Sequence, residues 1–268
     1  ESPIVTSQML FESAIASHSD LEQTLVDLLE QLKPGRQIDV AFLFVSTYFT
    51  NEIEKIVNRL QVELKPGVLI GCTAEGVIGG EKEIENAPAI SLVAARLPGV
   101  QVTPFILQPG SNEWHRMLLS PGEFCRVVDV PADTQLFMLL ADPFSTPIDD
   151  VLLAFSTCYP GIPMVGGMAS GALRPNGNLL IANETFTRQG AVGVAFSGDL
   201  SVDIIVSQGC RPIWQPFKVH SAHRNTIFTL EGRPPLAWLQ DLIPELPEED
   251  RALLQNGLFV GRAIDPGL

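Results

Sequence analysis

Two short glycine-rich runs carry the residues best placed for chemistry. The first, Gly71-Cys72-Thr73-Ala74-Glu75-Gly76-Val77-Ile78-Gly79-Gly80, sets a thiol, a hydroxyl and a carboxylate among small residues. The second, Gly166-Gly167-Met168-Ala169-Ser170-Gly171, shares its frame with Gly71 to Gly76: glycine at both ends, alanine in fourth place. Each run follows an apolar segment, and glycine lets backbone N–H groups approach a ligand closely. The expected ligand contacts are therefore Cys72, Thr73, Glu75, Gly76, Gly166, Gly167, Ser170 and Gly171. The same glycines would equally serve tight turns and close packing between segments. Neither run is a nucleotide fingerprint, since G-x-G-x-x-G is absent and no Lys-Ser/Thr follows, so no cofactor is implied.

Three further groups complete the candidate site. Asp142 ends an apolar run just before Pro143, where side chains line a crevice at strand ends; its alternative role is to cap the turn before Thr146. Arg211, in the small turn Gln208-Gly209-Cys210-Arg211, could hold a ligand carboxylate bidentately while Glu75 or Asp142 takes an ammonium group. Its alternative is an internal ion pair with one of those acids. Gln208 and Gly209 join the ligand-binding set on the same grounds. A cysteine nucleophile at Cys72 would need an adjacent base. The four histidines are His18, His115, His220 and His223; the last two, at i and i+3, are expected in a turn without a third metal ligand. No catalytic residue and no metal site is assigned.

These residues need elements to position them. Ser19-Asp20-Leu21-Glu22 opens a helix with Leu21, Leu25, Leu28, Leu29 and Leu32 on one face. Val40 to Val45 reads as a buried strand, Asn51 to Leu64 as a second amphipathic helix, and Val68 to Ile70 as a strand running into the first glycine loop. Ala89 to Ala95 and Val100 to Leu107, joined by Leu97-Pro98-Gly99, read as a hairpin. The pattern then recurs: strand Leu136 to Ala141, a helix capped at Thr146, strand Pro163 to Val165, the second glycine loop, and a hairpin of Ala191 to Phe196 with Val202 to Ser207. Two copies of one β-α-β-loop-β-β unit, over about 36–108 and 133–208, predict an internally duplicated α+β fold. Its mixed sheets should pack together with helices outside, as a layered αββα-like sandwich. Short β runs at Phe217 to Val219 and Thr226 to Leu230 and a helix from Pro234 or Pro235 follow.

Composition narrows the partners. The 268 residues carry 17 Lys+Arg against 31 Asp+Glu, a formal charge of −14, with the basic residues scattered singly. Nucleic acid and anionic membrane surfaces are thereby excluded as partners. No apolar run reaches the ~18 residues of a spanning helix, and no secretory signal is expected. Four cysteines without C-x-x-C spacing are expected as free thiols in a reducing cytoplasm.

Four segments in order give the chain a specific resemblance to the FIST family of sensory modules. They are Ile70 to Gly79, Ala141-Asp142-Pro143-Phe144-Ser145, Val165 to Gly171, and Val206-Ser207-Gln208-Gly209-Cys210-Arg211-Pro212-Ile213. Leu230 to Pro234 and Phe259 to Asp265 resemble the start of the family's C-terminal region, which the chain would carry only in part. The resemblance implies a FIST N-type domain over 1–215 and the beginning of a FIST C-type region over 216–268. It further implies a bacterial, cytoplasmic small-ligand sensor, with amino acids or related polar metabolites as ligands and a protein signalling partner. A protein-interaction scaffold, as in F-box relatives, and a Cys72-dependent enzyme are the alternatives.

Overall fold

The computed structural model describes residues 8–32, 35, 37–108, 113–205, 212–223, 226–254, 258 and 260–261. Strand β1 (Leu10–Ala16) leads to α1 (Leu21–Glu30), capped by Asp20, whose carboxylate accepts from Gln23 N at 2.9 Å. Then come β2 (Val40–Ser46), a 3-10 turn (Thr47–Glu52), α2 (Ile53–Glu63), β3 (Val68–Ala74), the hairpin β4 (Gly76–Gly79) and β5 (Lys82–Glu85), and β6 (Ile90–Arg96). The chain crosses to β7 (Val100–Leu107), α3 (Glu113–Leu119), α4 (Pro121–Val128), β8 (Thr134–Ala141), α5 (Ile148–Cys158) and β9 (Met164–Met168). The hairpin β10 (Leu180–Ala182) and β11 (Thr185–Thr187) and then β12 (Ala191–Gly198) complete the first compact unit, Glu1–Asp203.

Its sheets have the orders β1-β6-β2-β3-β10-β11 and β7-β12-β8-β9. In each, a parallel pair (β2 with β3, β8 with β9) is flanked by an antiparallel strand (β6, β12), which in turn pairs antiparallel with the strand that opens that half (β1, β7). Strand alternation divides the apolar residues between layers. On β2, Ala41, Leu43 and Val45 face α1 and α2, while Val40 and Phe42 face the other sheet. On β8, Phe137 and Leu139 face α4 and α5, and Leu140 faces the first sheet. The result is the expected α+β sandwich of helix, sheet, sheet and helix layers, with Phe124 edge-on to Phe155 at 4.9 Å in the outer core.

Several local expectations are corrected. Strands β6 and β7 form no hairpin, because β6 already has β1 on one edge and β2 on the other. The Leu97-Pro98-Gly99 turn instead carries the chain to the second sheet, where β7 pairs with β12. Likewise β12 has β7 and β8 on its two edges, and residues 201–205 form no strand beside it. The first glycine run is not a loop: Gly71 to Ala74 finishes β3, and Gly76 to Gly79 is β4. Gly166 to Met168 belongs to β9. Thr146 does not cap α5; its hydroxyl donates to Gly190 O at 2.7 Å. Cys125 and Cys158 form a disulfide joining α4 to α5, so the expectation of four free thiols fails.

The second compact unit, Ile204–Leu268, contains the hairpin β13 (Val219–His223) and β14 (Thr226–Leu230), α6 (Pro235–Leu242), a 3-10 turn (Ile243–Glu245) and α7 (Glu248–Leu253). Trp238 packs its ring at a tilt against Phe217, lies under Arg233 and donates its indole N–H to Leu230 O at 2.8 Å. His220 and His223 lie in strand β13, not in a turn.

Candidate functional site

The C-terminal ends of β3, β8 and β9 come together at one seam, and the segment 169–179 crosses it. Glu75 N donates to Ser170 Oγ at 3.1 Å. Gly171 lies so close to β3 that a Cβ there would sit 2.8 Å from Thr73 Cβ. The dipeptide Asn178-Leu179 then bridges the two sheets. Asn178 Nδ2 donates to Asp142 Oδ1 at 3.0 Å, and Leu179 N donates to Thr73 Oγ1 at 3.0 Å. Thr73 N returns a hydrogen bond to Leu179 O at 2.9 Å.

Asp142 is fully buried and accepts three hydrogen bonds, from Asn178 Nδ2, from Ser145 Oγ at 2.6 Å and from Phe144 N at 3.2 Å. Gly190 N donates to Ser145 Oγ at 2.9 Å, so the turn leading to α5 is fixed from both sides. Asp142 thus performs the turn-capping role foreseen for it, while its other oxygen reaches the bridging Asn178. Asn178 is itself fully buried, and its Oδ1 has no hydrogen-bond partner among the described residues. A buried amide oxygen left so costs about 1–3 kcal/mol of desolvation, which a donor placed there would recover.

Of the sequence candidates, Thr73, Glu75, Asp142, Ser170 and Gly171 meet at the seam. Cys72 does not. Strand alternation turns it into the core between the sheets, among Val40, Val68 and Ile70. Burial pushes its thiol up to about 12, so it stays protonated and weakly nucleophilic near neutral pH. Gly76 is in β4, where a Cβ would meet the Glu85 side chain at 3.0 Å. Gly71 and Gly166 are spent on packing: a Cβ would lie 2.0 Å from Leu43 O and 1.8 Å from Leu139 O, respectively. Gly167 has open space around it. Gln208, Gly209 and Arg211 lie outside the described residues. Asn178 and Ser145 were not among the expected site residues. The one sequence signal for Asn178 is its place directly before the apolar run Leu179 to Ala182, where a polar side chain at a strand entrance faces other strand ends. Among the described residues no group of three or more His, Cys, Asp or Glu could hold a metal ion, and no helix is long and apolar enough to cross a membrane.

The model of the FIST N domain matches residues 39–233, which include every residue of the seam. The chain belongs to the FIST N domain family. FIST domains are generally sensory domains of signal transduction. Relatives include an uncharacterized protein of Mycobacterium tuberculosis, 32% identical over 230 residues, covering 85% of this chain and 57% of the relative. An uncharacterized protein of Mycobacterium bovis is 30% identical over 258 residues, covering 95% of this chain and 64% of the relative. The FIST chain therefore spans about three-fifths of the length of these bacterial proteins.

Proposed function

We propose that this FIST domain is the small-ligand input module of a cytoplasmic signalling protein, taking an amino acid or a related polar metabolite at the seam of β3, β8 and β9. The observation that carries the reading is Asn178 Oδ1, without a partner among the described residues, beside the buried Asp142 carboxylate. Together they offer an acceptor and a negative charge to a ligand ammonium group, at the place where two sheets are joined by one dipeptide. Thr73, Glu75, Ser170 and Gly171 line the approach. A ligand held there ties β3 to β8 more firmly and shifts the domain toward its closed population, which a protein partner reads. A Cys72-dependent reaction has no part in this reading, because that thiol is buried between the sheets. Location in the cytoplasm goes with this reading against the Cys125–Cys158 bond of the structure, which an oxidising compartment would favour; that bond found intact in protein extracted under thiol-blocking conditions would overturn the location.

A thermal-shift screen against amino acids and central metabolites tests the reading. A ligand at a hundredfold excess over its Kd adds about 2.7 kcal/mol, a rise in Tm of roughly 5–11 °C for a domain this size. Arg211→Ala tests the expectation from the sequence that this guanidinium holds a ligand carboxylate: the shift for a carboxylate ligand should be lost, and a full shift in that variant would overturn the expectation. No shift with any compound favours the second reading, an interaction module. That reading rests on β9, whose outer edge pairs with no strand among the described residues, although the matching edge of β3 carries β10. Met168 on this edge and Phe144 and Leu173 on the adjoining segments are exposed apolar residues, and an extended partner segment would add to β9 as β10 adds to β3.

A further inference from the structure

A second place on the first unit has the form of a ligand site, and none of the residues singled out from the sequence belongs to it. A cavity of about 710 Å³ opens between the α2–β3 turn, strand β7, the end of α4 and the β10–β11 turn. That size falls within the range of about 300–1,000 Å³ typical of small-molecule sites. Its apolar lining comes from Pro66, Pro104, Ile106 and Val127, and its charges are the carboxylates of Asp129 and Glu184. Among the described residues no Lys, Arg or His lines it. Both carboxylates are exposed, and neither has an ion-pair partner among the described residues.

The walls are fixed before any ligand arrives. Asn183 clamps the β10–β11 turn to β3 twice: its N–H donates to Leu69 O at 2.7 Å, and its Oδ1 accepts from Leu69 N at 2.9 Å. Asp129 closes α4 in a left-handed conformation, φ 42°, with its N–H donating to Cys125 O at 2.9 Å, and the Cys125–Cys158 bond anchors that helix to α5. A rigid rim loses little entropy when it binds. Two carboxylates without counter-cations repel an anion and favour a cation, while the proline, isoleucine and valine surface favours a hydrocarbon body.

We infer that this cavity binds a compact organic cation, an ammonium or guanidinium group carried on a short aliphatic chain, with Asp129 and Glu184 receiving the charge. The site is separate from the seam of β3, β8 and β9 and stands or falls independently of the function proposed there. The test is isothermal titration of the whole chain with 1,5-diaminopentane and with agmatine at fixed ionic strength, against N-acetylated 1,5-diaminopentane and glutarate. Saturable one-to-one binding of the two cations, with at least ten-fold weaker binding of the fully acetylated diamine and of glutarate, is expected. The double variant Asp129→Asn/Glu184→Gln should weaken cation binding at least ten-fold, and Val127→Trp, which fills the cavity from a half-exposed position, should do the same. The double variant Glu30→Gln/Glu54→Gln removes equal charge from α1 and α2 and should leave the affinity unchanged. Equal loss in both double variants would show general attraction to an acidic surface and overturn the inference. So would retention of binding by Asp129→Asn/Glu184→Gln, or no binding of either cation.

Discussion

Replacing Gly71 by alanine separates the two roles that its sequence setting allows. Residue 71 pairs with Leu43 on one side and Ile181 on the other, in the middle of the six-stranded sheet. An alanine Cβ would lie 2.0 Å from Leu43 O, 2.9 Å from Leu43 C and 3.0 Å from Leu43 Cβ. Carbon to carbonyl-oxygen contacts normally begin near 3.3 Å, so β3 would have to move by more than ~1 Å. It cannot do so alone, because β2 and β10 hold it from both edges. The cost belongs at the upper end of overpacking, about 3 kcal/mol, which lowers Tm by roughly 6–12 °C. Gly166→Ala meets Leu139 O at 1.8 Å and also places an L residue at φ 150°, a strain that leaning β9 outward does not relieve. Its Tm should fall at least as far. Differential scanning calorimetry of both variants decides. A Gly71→Ala protein that melts within about 2 °C of the parent would refute the packing argument and return Gly71 to a ligand-approach role.

Asp142→Ala strips the acceptor from Asn178 Nδ2, Ser145 Oγ and Phe144 N in a buried setting, and should cost about 3 kcal/mol or more in urea unfolding; a loss under about 1 kcal/mol would show that the carboxylate is dispensable to the seam. In a Cys210→Ser background, a thiol reagent should label no cysteine of the native oxidised chain, one (Cys72) after unfolding, and three after unfolding with reductant; native labelling of Cys72 would contradict its burial. Hydrogen bonds from His18 and then Gln23 hold the Asp27 carboxyl below its ordinary value. A lowered folded-state pKa gives stability that is present above the unfolded value and lost as pH falls through the folded one. The urea midpoint of the parent should therefore exceed that of Asp27→Asn near pH 5 and converge with it toward pH 2, and a gap independent of pH would refute the pairing.

Local pattern reached the elements whose burial is one-sided or continuous over several residues. Helices α1 and α2 and strands β2 and β8 announce themselves through leucine and isoleucine spacing or unbroken apolar runs. Strand β1, Leu-Phe-Glu-Ser-Ala-Ile-Ala, did not, because Glu12 and Ser13 interrupt it and Phe11 is exposed. The Leu97-Pro98-Gly99 turn has hairpin chemistry, yet pairing is decided by which strand edges are free, and β6 has none. Cys72 looked like a loop residue because glycine preceded it; the glycine is there for Leu43 O, and the thiol follows the strand's alternation inward. At the seam, Thr73, Asp142 and Ser170 could be proposed from their positions after apolar runs. Asn178 could not, since its partner Asp142 is 36 residues away and the Thr73 contact of its neighbour Leu179 spans 106.

The most direct test of ligand binding at the seam is a series of ¹⁵N–¹H correlation spectra recorded while the proteinogenic amino acids are titrated singly into the whole chain. The account predicts that at least one produces saturable shifts centred on the Asn178 side-chain amide and the backbone amides of Thr73, Glu75 and Ser170, at the point where both sheets meet. Spectra in which those four resonances stay unmoved for every amino acid would contradict the claim that the seam is an amino-acid site.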